Sequence, residues 1–119
     1  DECKAWITDR GSNFGSDKLI VDFGIVDELK ESYDKVILDC THSTQRSRTV
    51  YGKQGDVELA KRYFLSAPIF DYDGVFAETH PNPPESSSDK DCQIPLDEMI
   101  DLLAEQRIIS HANDKRISI

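Results

Sequence analysis

The sequence predicts an α/β chain built on parallel strands. Short apolar runs of buried-strand character alternate with longer stretches of helical periodicity, in the order βαβαβα. Each strand-like run also ends in a polar cluster. Helices of about a dozen residues between short strands are the crossovers that parallel pairing requires.

The first strand is expected over residues 4–8, KAWIT, stopping at Asp9-Arg10-Gly11. GSNFGSD follows as a loop and offers Ser16 or Asp17 as a helix N-cap. Over 18–32, Leu19, Ile20, Phe23, Val26 and Leu29 recur at spacings of three and four, which is one face of a helix. KVIL at 35–38 reads as a second strand, ending at Asp39-Cys40-Thr41-His42. Residues 56–67 form a helix with Val57, Leu59, Ala60, Tyr63 and Phe64 turned inward. A third strand, GVFA at 74–77, ends at Glu78-Thr79-His80. PNPPESSSDKD, residues 81–91, holds three prolines and three consecutive serines and must be a loop. Loops of this length in compact domains tend to be functional or disordered. Pro95 opens the last helix, whose apolar face is Leu96, Met99, Ile100, Leu102 and Leu103. Proline in a first turn sacrifices no hydrogen bond.

At 119 residues the chain has the size of one domain. Its 14 Lys+Arg against 23 Asp+Glu give a net charge of −9, which argues against nucleic acid or an anionic membrane as partner. No window approaches the run of about 18 apolar residues that a membrane span needs. No charged-then-apolar leader opens the sequence, so export is not expected. An initial Asp, with Met99 as the only methionine, leads us to expect a piece of a longer product. Cys3, Cys40 and Cys92 are far apart and form no CxxC pair. Reduced thiols in a cytoplasmic protein are the expectation, rather than a disulfide framework or a Cys-rich zinc site.

Parallel strands gather their carboxyl ends on one side, where sites in α/β folds are found. His42 and Glu78 stand at two such ends, and Asp89 lies in the loop after the third strand. Imidazole with two carboxylates is a plausible ligand set for a borderline divalent metal. The plainer reading of His42 is a ring satisfied by the backbone at a strand end. Arg10 faces the same mouth and suits a phosphate or carboxylate; alternatively it pairs with Asp9 or Asp39. Asp71-Tyr72-Asp73-Gly74-Val75 resembles the DxDGV nucleophile motif of haloacid-dehalogenase-type phosphatases. Only 46 residues follow Asp73, too few for the remaining core of that fold.

Four co-linear blocks resemble the 3-deoxy-D-manno-octulosonate 8-phosphate synthase family. TDRGSNFG at 8–15 is similar to its C-[DE]-R-G-x-x-F-G segment, and LDCTHSTQ at 38–45 to F-D-x-T-H-[SA]-x-Q. GVFAETHPNP at 74–83 is similar to G-[LV]-F-x-E-[AT]-H-P-D-P, Ser88-Asp89 falls on its C-D or S-D, and Pro95-Leu96 on A-L-P-L. The chain departs from the family after Gln45, where RSRTVYGKQGDVE replaces a Gly/Arg-rich loop. It departs again at Lys90-Asp91, which replaces Gly-Pro, and at the charged Asp71-Tyr72-Asp73.

The resemblance implies the last three β/α units of a (β/α)8 barrel over residues 1–109, followed by a tail at 110–119. A whole barrel takes about 250 residues. It implies a transferase condensing phosphoenolpyruvate with arabinose 5-phosphate to 3-deoxy-D-manno-octulosonate 8-phosphate and phosphate, a step toward lipopolysaccharide. The complete enzyme would be cytoplasmic and a homo-oligomer, tetrameric in the family. Carried over by motif, Arg10 holds the phosphoenolpyruvate phosphate, Gln45 lines the cavity, and His42, Glu78 and Asp89 bind a divalent metal of the Zn, Fe or Mn type. His42 and Asp89 are also the catalytic pair. The family's fourth ligand position lies outside this chain, so metal-dependent and metal-independent types both stay open. The chain alone is expected to be inactive. The alternative is a non-catalytic remnant that acts by self-association.

Overall fold

Three parallel strands form the sheet in a computed structural model that describes residues 4–117; Cys3 and the end of the 110–119 tail lie outside the described residues. The strands are β1 (Trp6–Asp9), β2 (Lys35–Asp39) and β3 (Gly74–Phe76), with β2 in the middle. Trp6 pairs with Lys35 through to Asp9 with Leu38, and Ile37 pairs with Gly74 through to Asp39 with Phe76. Side chains alternate between faces with period two. Ile7, Val36, Leu38 and Val75 therefore point to the helix-covered side, where Val36 and Leu38 are completely buried. Trp6 and Phe76 fall on the opposite face and remain exposed, Trp6 by 68%.

The helices are α1 (Val26–Ser32), α2 (Arg48–Tyr51), α3 (Val57–Ser66) and α4 (Leu96–Ile117). Asp56 caps α3 by accepting the Leu59 N–H at 3.0 Å, satisfying one of the donors that every helix start leaves free. Of the residues expected to face inward, Ala60 and Phe64 are buried, Tyr63 packs at the margin, and Val57 and Leu59 are half-buried; Leu65, not expected there, also packs against the core. Val26, Ala67, Tyr72, Ile94 and Leu102 complete the core around Leu38.

The expected helix at 18–32 begins only at Val26, after a 3-10 turn at Phe23–Ile25. Ser12 and Ile20 exchange two backbone hydrogen bonds of 2.9 Å, and Lys18 bridges Arg46, so the earlier residues are held as an extended strap. Gly11 makes that close approach possible: a Cβ there would lie 2.7 Å from the Ile20 carbonyl oxygen, and its φ is +86°.

Pro95 does not open α4. It ends β5 (Ile94–Pro95), which pairs in parallel with β4 (Thr79–His80). This short ladder ties together both ends of the proline-serine loop, reinforced by Thr79 Oγ1 donating to the Ile94 carbonyl at 2.7 Å. The loop itself contains a 3-10 turn at Pro83–Glu85. The α4 helix runs through residues 110–117 without a break, and Gln106 and Asn113 fasten it to the Phe64 and Pro68 carbonyls. Only Leu102 of its expected apolar face is buried, with Met99 packed beside it. Leu96, Ile100 and Leu103, in the first two turns of the helix, are exposed.

The DxDGV residues precede β3 and so sit at the amino end of the sheet, opposite the strand ends that carry His42 and Glu78. Lys30 pairs with Asp71 at 2.9 Å, and Asp73 accepts the Val36 N–H at 2.9 Å. Both carboxylates are absorbed by structure, which corrects the phosphatase reading of Asp71 and Asp73.

Phe64→Ala should lower the unfolding free energy by about 3–5 kcal/mol, the usual cost of emptying a buried aromatic site, whereas Ile100→Ala, on the exposed stripe, should change it by no more than about 0.5 kcal/mol. Urea denaturation of both variants checks the assignment of the core.

Candidate metal and substrate site

The buried Asp39 organises the end of β2. Its Oδ1 accepts the backbone N–H groups of Thr41 and His42 at 3.0 and 2.8 Å, folding the chain into the 3-10 turn His42–Thr44. Its Oδ2 accepts the His42 Nδ1–H at 2.7 Å. The ring is therefore fixed with Nε2 outward, 3.3 Å from Asp89 Oδ2, and it stacks at 6.0 Å on Phe76.

Glu78 is placed by the neighbouring strand. Just beyond β3 its N–H donates to the buried Thr41 hydroxyl at 2.7 Å. Asp89 is placed by its loop. Its φ of +49° lies in the left-handed region, which costs a non-glycine residue about 1 kcal/mol or more. Two N–H groups, of Cys92 and Gln93, hold it there by donating to its carbonyl at 3.1 Å. Gln93 is buried and braces the same loop through Ser86 Oγ and the Ser88 carbonyl, each at 2.8 Å.

One ligand atom from each of His42, Glu78 and Asp89 lies within 4.8 Å of the others. Burial and the Asp89 charge push the Glu78 carboxyl above its ordinary range, with His42 opposing. Burial works against a charged His42, but the hydrogen bond and charge of Asp39, with the charges of Asp89 and Glu78, outweigh it and raise the ring above 6.5. Glu78 Oε2 is buried without a hydrogen-bond partner. An orphaned carboxylate oxygen beside a second carboxylate and an imidazole is a set that asks for a cation. The residues fit a divalent metal in donor type, and Asp39 behind His42 supplies the carboxylate that metal-binding histidines commonly carry. Cys40 and Cys92 are buried free thiols, raised chiefly by burial, Cys92 to about 12. Both stay protonated at neutral pH.

Gln45 donates to Asp89 Oδ1 at 3.1 Å, so it belongs to the same cluster. Arg10 is exposed at the end of β1 and makes no ion pair with Asp9 or Asp39 among the described residues. The reason is local: Asp9 already accepts the Gly11 N–H at 2.9 Å and the Tyr72 hydroxyl at 2.7 Å, and Asp39 serves His42. Arg10 and Gln45 line one cavity of about 390 Å³. The structure thus gathers all five expected residues, with His42, Glu78 and Asp89 in one cluster and Gln45 between it and Arg10. The positioning roles of Asp39, Thr41 and Gln93 were not expected. The signal for Asp39 was the D-x-T-H spacing, since an Asp side chain caps the N–H groups just after it. Gln93 gave none.

The model of the DAHP synthetase I family matches residues 4–112. A 2-dehydro-3-deoxyphosphooctonate aldolase of Helicobacter hepaticus is 34% identical over 115 residues, covering 92% of this chain and 42% of the relative. The Helicobacter pylori protein of the same name is 37% identical over 101 residues, 84% of this chain and 36% of its own. The chain therefore spans about two fifths of the length of these curated relatives. Among solved structures, a phospho-2-dehydro-3-deoxyheptonate aldolase of Thermotoga maritima superposes with a TM-score of 0.71 at 18% identity, over 88% of this chain and 29% of that one. A truncated 3-deoxy-D-arabino-heptulosonate 7-phosphate synthase from the same organism gives 0.70 at 18% identity, over 88% and 37%. The three-stranded sheet and its helices are thus part of a TIM barrel.

In the metal-free chain, His42 should titrate above 6.5, and Asp39→Asn should lower that titration by removing its main anionic partner. A raised histidine stabilises the fold at acidic pH, and the contribution fades as pH rises through the folded-state value. The fade should move to lower pH in the variant. NMR of the ring protons, with thermal melts across the same pH range, measures both.

Proposed function

Because the chain belongs to the DAHP synthetase I family, we propose that it forms the carboxyl-terminal part of an enzyme condensing phosphoenolpyruvate with a phosphorylated aldose, arabinose 5-phosphate. The observation that carries this reading is the convergence of His42, Glu78 and Asp89 at the carboxyl ends of parallel strands, linked through Gln45 to the cavity of Arg10, which makes no ion pair among the described residues. The names of the curated relatives, 2-dehydro-3-deoxyphosphooctonate aldolase, support an eight-carbon product.

In this reading C3 of phosphoenolpyruvate attacks the sugar aldehyde, water adds at C2, and phosphate leaves by C–O cleavage. Arg10 offers paired N–H donors and a full charge to the phosphate. Gln45 keeps Asp89 in place, with its amide donating to the carboxylate. His42, held through Nδ1 by Asp39, presents Nε2 as the atom that carries a proton, and Asp89 faces it as the partner carboxylate. His42, Glu78 and Asp89 would hold a divalent ion, which when bound neutralises the carboxylates and acidifies a water. The enzyme works as a cytoplasmic homo-oligomer. No described helix is long and apolar enough to cross a membrane.

A non-catalytic, self-associating chain is the second reading. It draws on the exposed Trp6 and Phe76 of the sheet and on the Leu96, Ile100 and Leu103 stripe of α4.

Phosphate release from phosphoenolpyruvate and arabinose 5-phosphate distinguishes the two. The complete polypeptide bearing this sequence should turn over and yield an eight-carbon keto acid by mass spectrometry, and Arg10→Ala should cost about 1.5–3 kcal/mol in phosphoenolpyruvate binding, the value of a charged hydrogen bond. The isolated 119-residue chain should release no phosphate, because a barrel site draws side chains from several other strands. Turnover by that isolated chain at about 1 per second, an ordinary enzymatic rate, would contradict the barrel reading. No turnover by the complete polypeptide would leave self-association.

A further inference from the structure

At Asp71-Tyr72-Asp73 the chain departs from its family's pattern, and the contacts described above account only for the two carboxylates. Tyr72, between them, is 7% exposed. Its N–H donates to the Ala67 carbonyl at 3.2 Å, and its ring meets Phe23 edge-on with centroids 6.2 Å apart. Packing of that kind uses the ring and has no need of the hydroxyl. The hydroxyl reaches instead to the end of β1, 63 residues away in sequence, and donates to Asp9 Oδ2 at 2.7 Å. Burial, and then the bond to Asp9, push the Tyr72 hydroxyl above its ordinary range, so it stays protonated and the direction of that bond is fixed.

Asp9 is the residue before Arg10. Its Oδ1 accepts the Gly11 N–H at 2.9 Å, closing a side-chain turn around the Arg10 backbone. Tyr72 is the partner of its other oxygen. A carboxylate oxygen left free beside a guanidinium pairs with it readily, because the two groups match in charge and in donor geometry. Arg10 nevertheless makes no ion pair among the described residues, and it lines the cavity of about 390 Å³ that it shares with Gln45. The same tyrosine steadies a wall of that cavity. The strap that supplies Asn13, Ser16 and Lys18 to the lining lies between Gly11 and Phe23. Tyr72 touches both ends, through Asp9 before it and through the Phe23 ring after it.

We infer that Tyr72 is a positioning residue for phosphoenolpyruvate binding: its hydroxyl holds the Asp9 carboxylate away from Arg10 and so keeps the guanidinium free for the phosphate. The inference rests on the condensation reading above, in which Arg10 meets that phosphate, and adds the group that decides whether Arg10 is free to do so. Tyr72 acts through Asp9 on the fraction of molecules whose Arg10 is available, and apparent affinity scales with that fraction.

The test is calorimetric titration of the complete polypeptide with phosphoenolpyruvate, in the parent, Tyr72→Phe, Asp9→Asn and the double variant. Tyr72→Phe keeps the ring against Phe23 and removes only the hydroxyl, and its thermal midpoint reports folding. An exposed ion pair between Asp9 and Arg10 competes with a ligand by up to about 5-fold, so phosphoenolpyruvate should bind about 5-fold more weakly to this variant. Mn²⁺ affinity at the His42, Glu78 and Asp89 cluster should stay within about 2-fold of the parent, since distant sites act independently. Asp9→Asn separates positioning from packing. Its amide oxygen still accepts the Gly11 N–H but carries no charge to capture a guanidinium. The double variant should therefore regain phosphoenolpyruvate affinity to within about 2-fold of the parent, a rescue that a merely structural role of Tyr72 does not produce. Nitrogen NMR of the Arg10 guanidinium is the second readout, expected to show an unpaired group in the parent and a paired one in Tyr72→Phe. Unaltered phosphoenolpyruvate affinity in a folded Tyr72→Phe would remove the role of Tyr72 and leave the condensation standing. A loss that Asp9→Asn does not restore, or that extends equally to Mn²⁺, would reduce Tyr72 to packing. Should Tyr72→Phe fail to fold, the parent spectrum decides, and an Arg10 already paired with Asp9 there overturns the proposal. A parent that binds no phosphoenolpyruvate would overturn the condensation reading and this role together.

Discussion

Parallel pairing of β2 with β3 sets Asp39 opposite Phe76, and the Cys40 N–H carries the ladder one step further to the Phe76 carbonyl at 2.8 Å. The buried Thr41 hydroxyl then takes the Glu78 N–H. Two successive bonds thus continue the ladder between strand ends that are 37 residues apart in sequence. A slip of one residue would send alternate side chains to the wrong face, and with them the carboxylate of Asp39 that holds His42. The core beneath, with Leu38 and Phe64 completely or almost completely buried, defends this register. Packing on one side of the sheet therefore determines chemistry at its end.

Polar groups at that end are satisfied in a graded way. Asp39 has three hydrogen bonds and Asp89 two partners, whereas one oxygen of Glu78 is buried with none. Buried polar atoms are normally paired, so each exception carries meaning. Here the Glu78 oxygen faces a second carboxylate and an imidazole; burial and the Asp89 charge raise the Glu78 carboxyl, and the surrounding carboxylates raise the His42 ring. The hydrogen bonds fix Asp39, His42 and Asp89, and Glu78 Oε2 is left without one among the described residues.

The sequence makes the strands and the strand-end residues legible because both depend on local pattern. KVIL and GVFA carry apolar runs, and polar clusters mark where each stops. The helix expected at 18–32 fails at its start because Ser12 and Ile20 pair across a turn that Gly11 alone permits, a tertiary preference that overrides periodicity. The β4–β5 ladder spans only two residues per strand and joins segments 15 apart, below what any window of pattern can resolve. The stripe of α4 reads in sequence as core, yet Leu96, Ile100 and Leu103 are exposed, because apolar periodicity marks a face without saying whether a neighbouring element covers it.

The convergence of His42, Glu78 and Asp89 as a cation site is the central claim, and Mn²⁺ titration followed by electron paramagnetic resonance addresses it most directly. The account predicts a single saturable ion per chain, lost in Glu78→Gln and His42→Ala, and weakened about 10- to 100-fold in Asp39→Asn, the usual effect of removing a partner behind a ligand. Ion binding that is indifferent to Glu78 and His42 would contradict it.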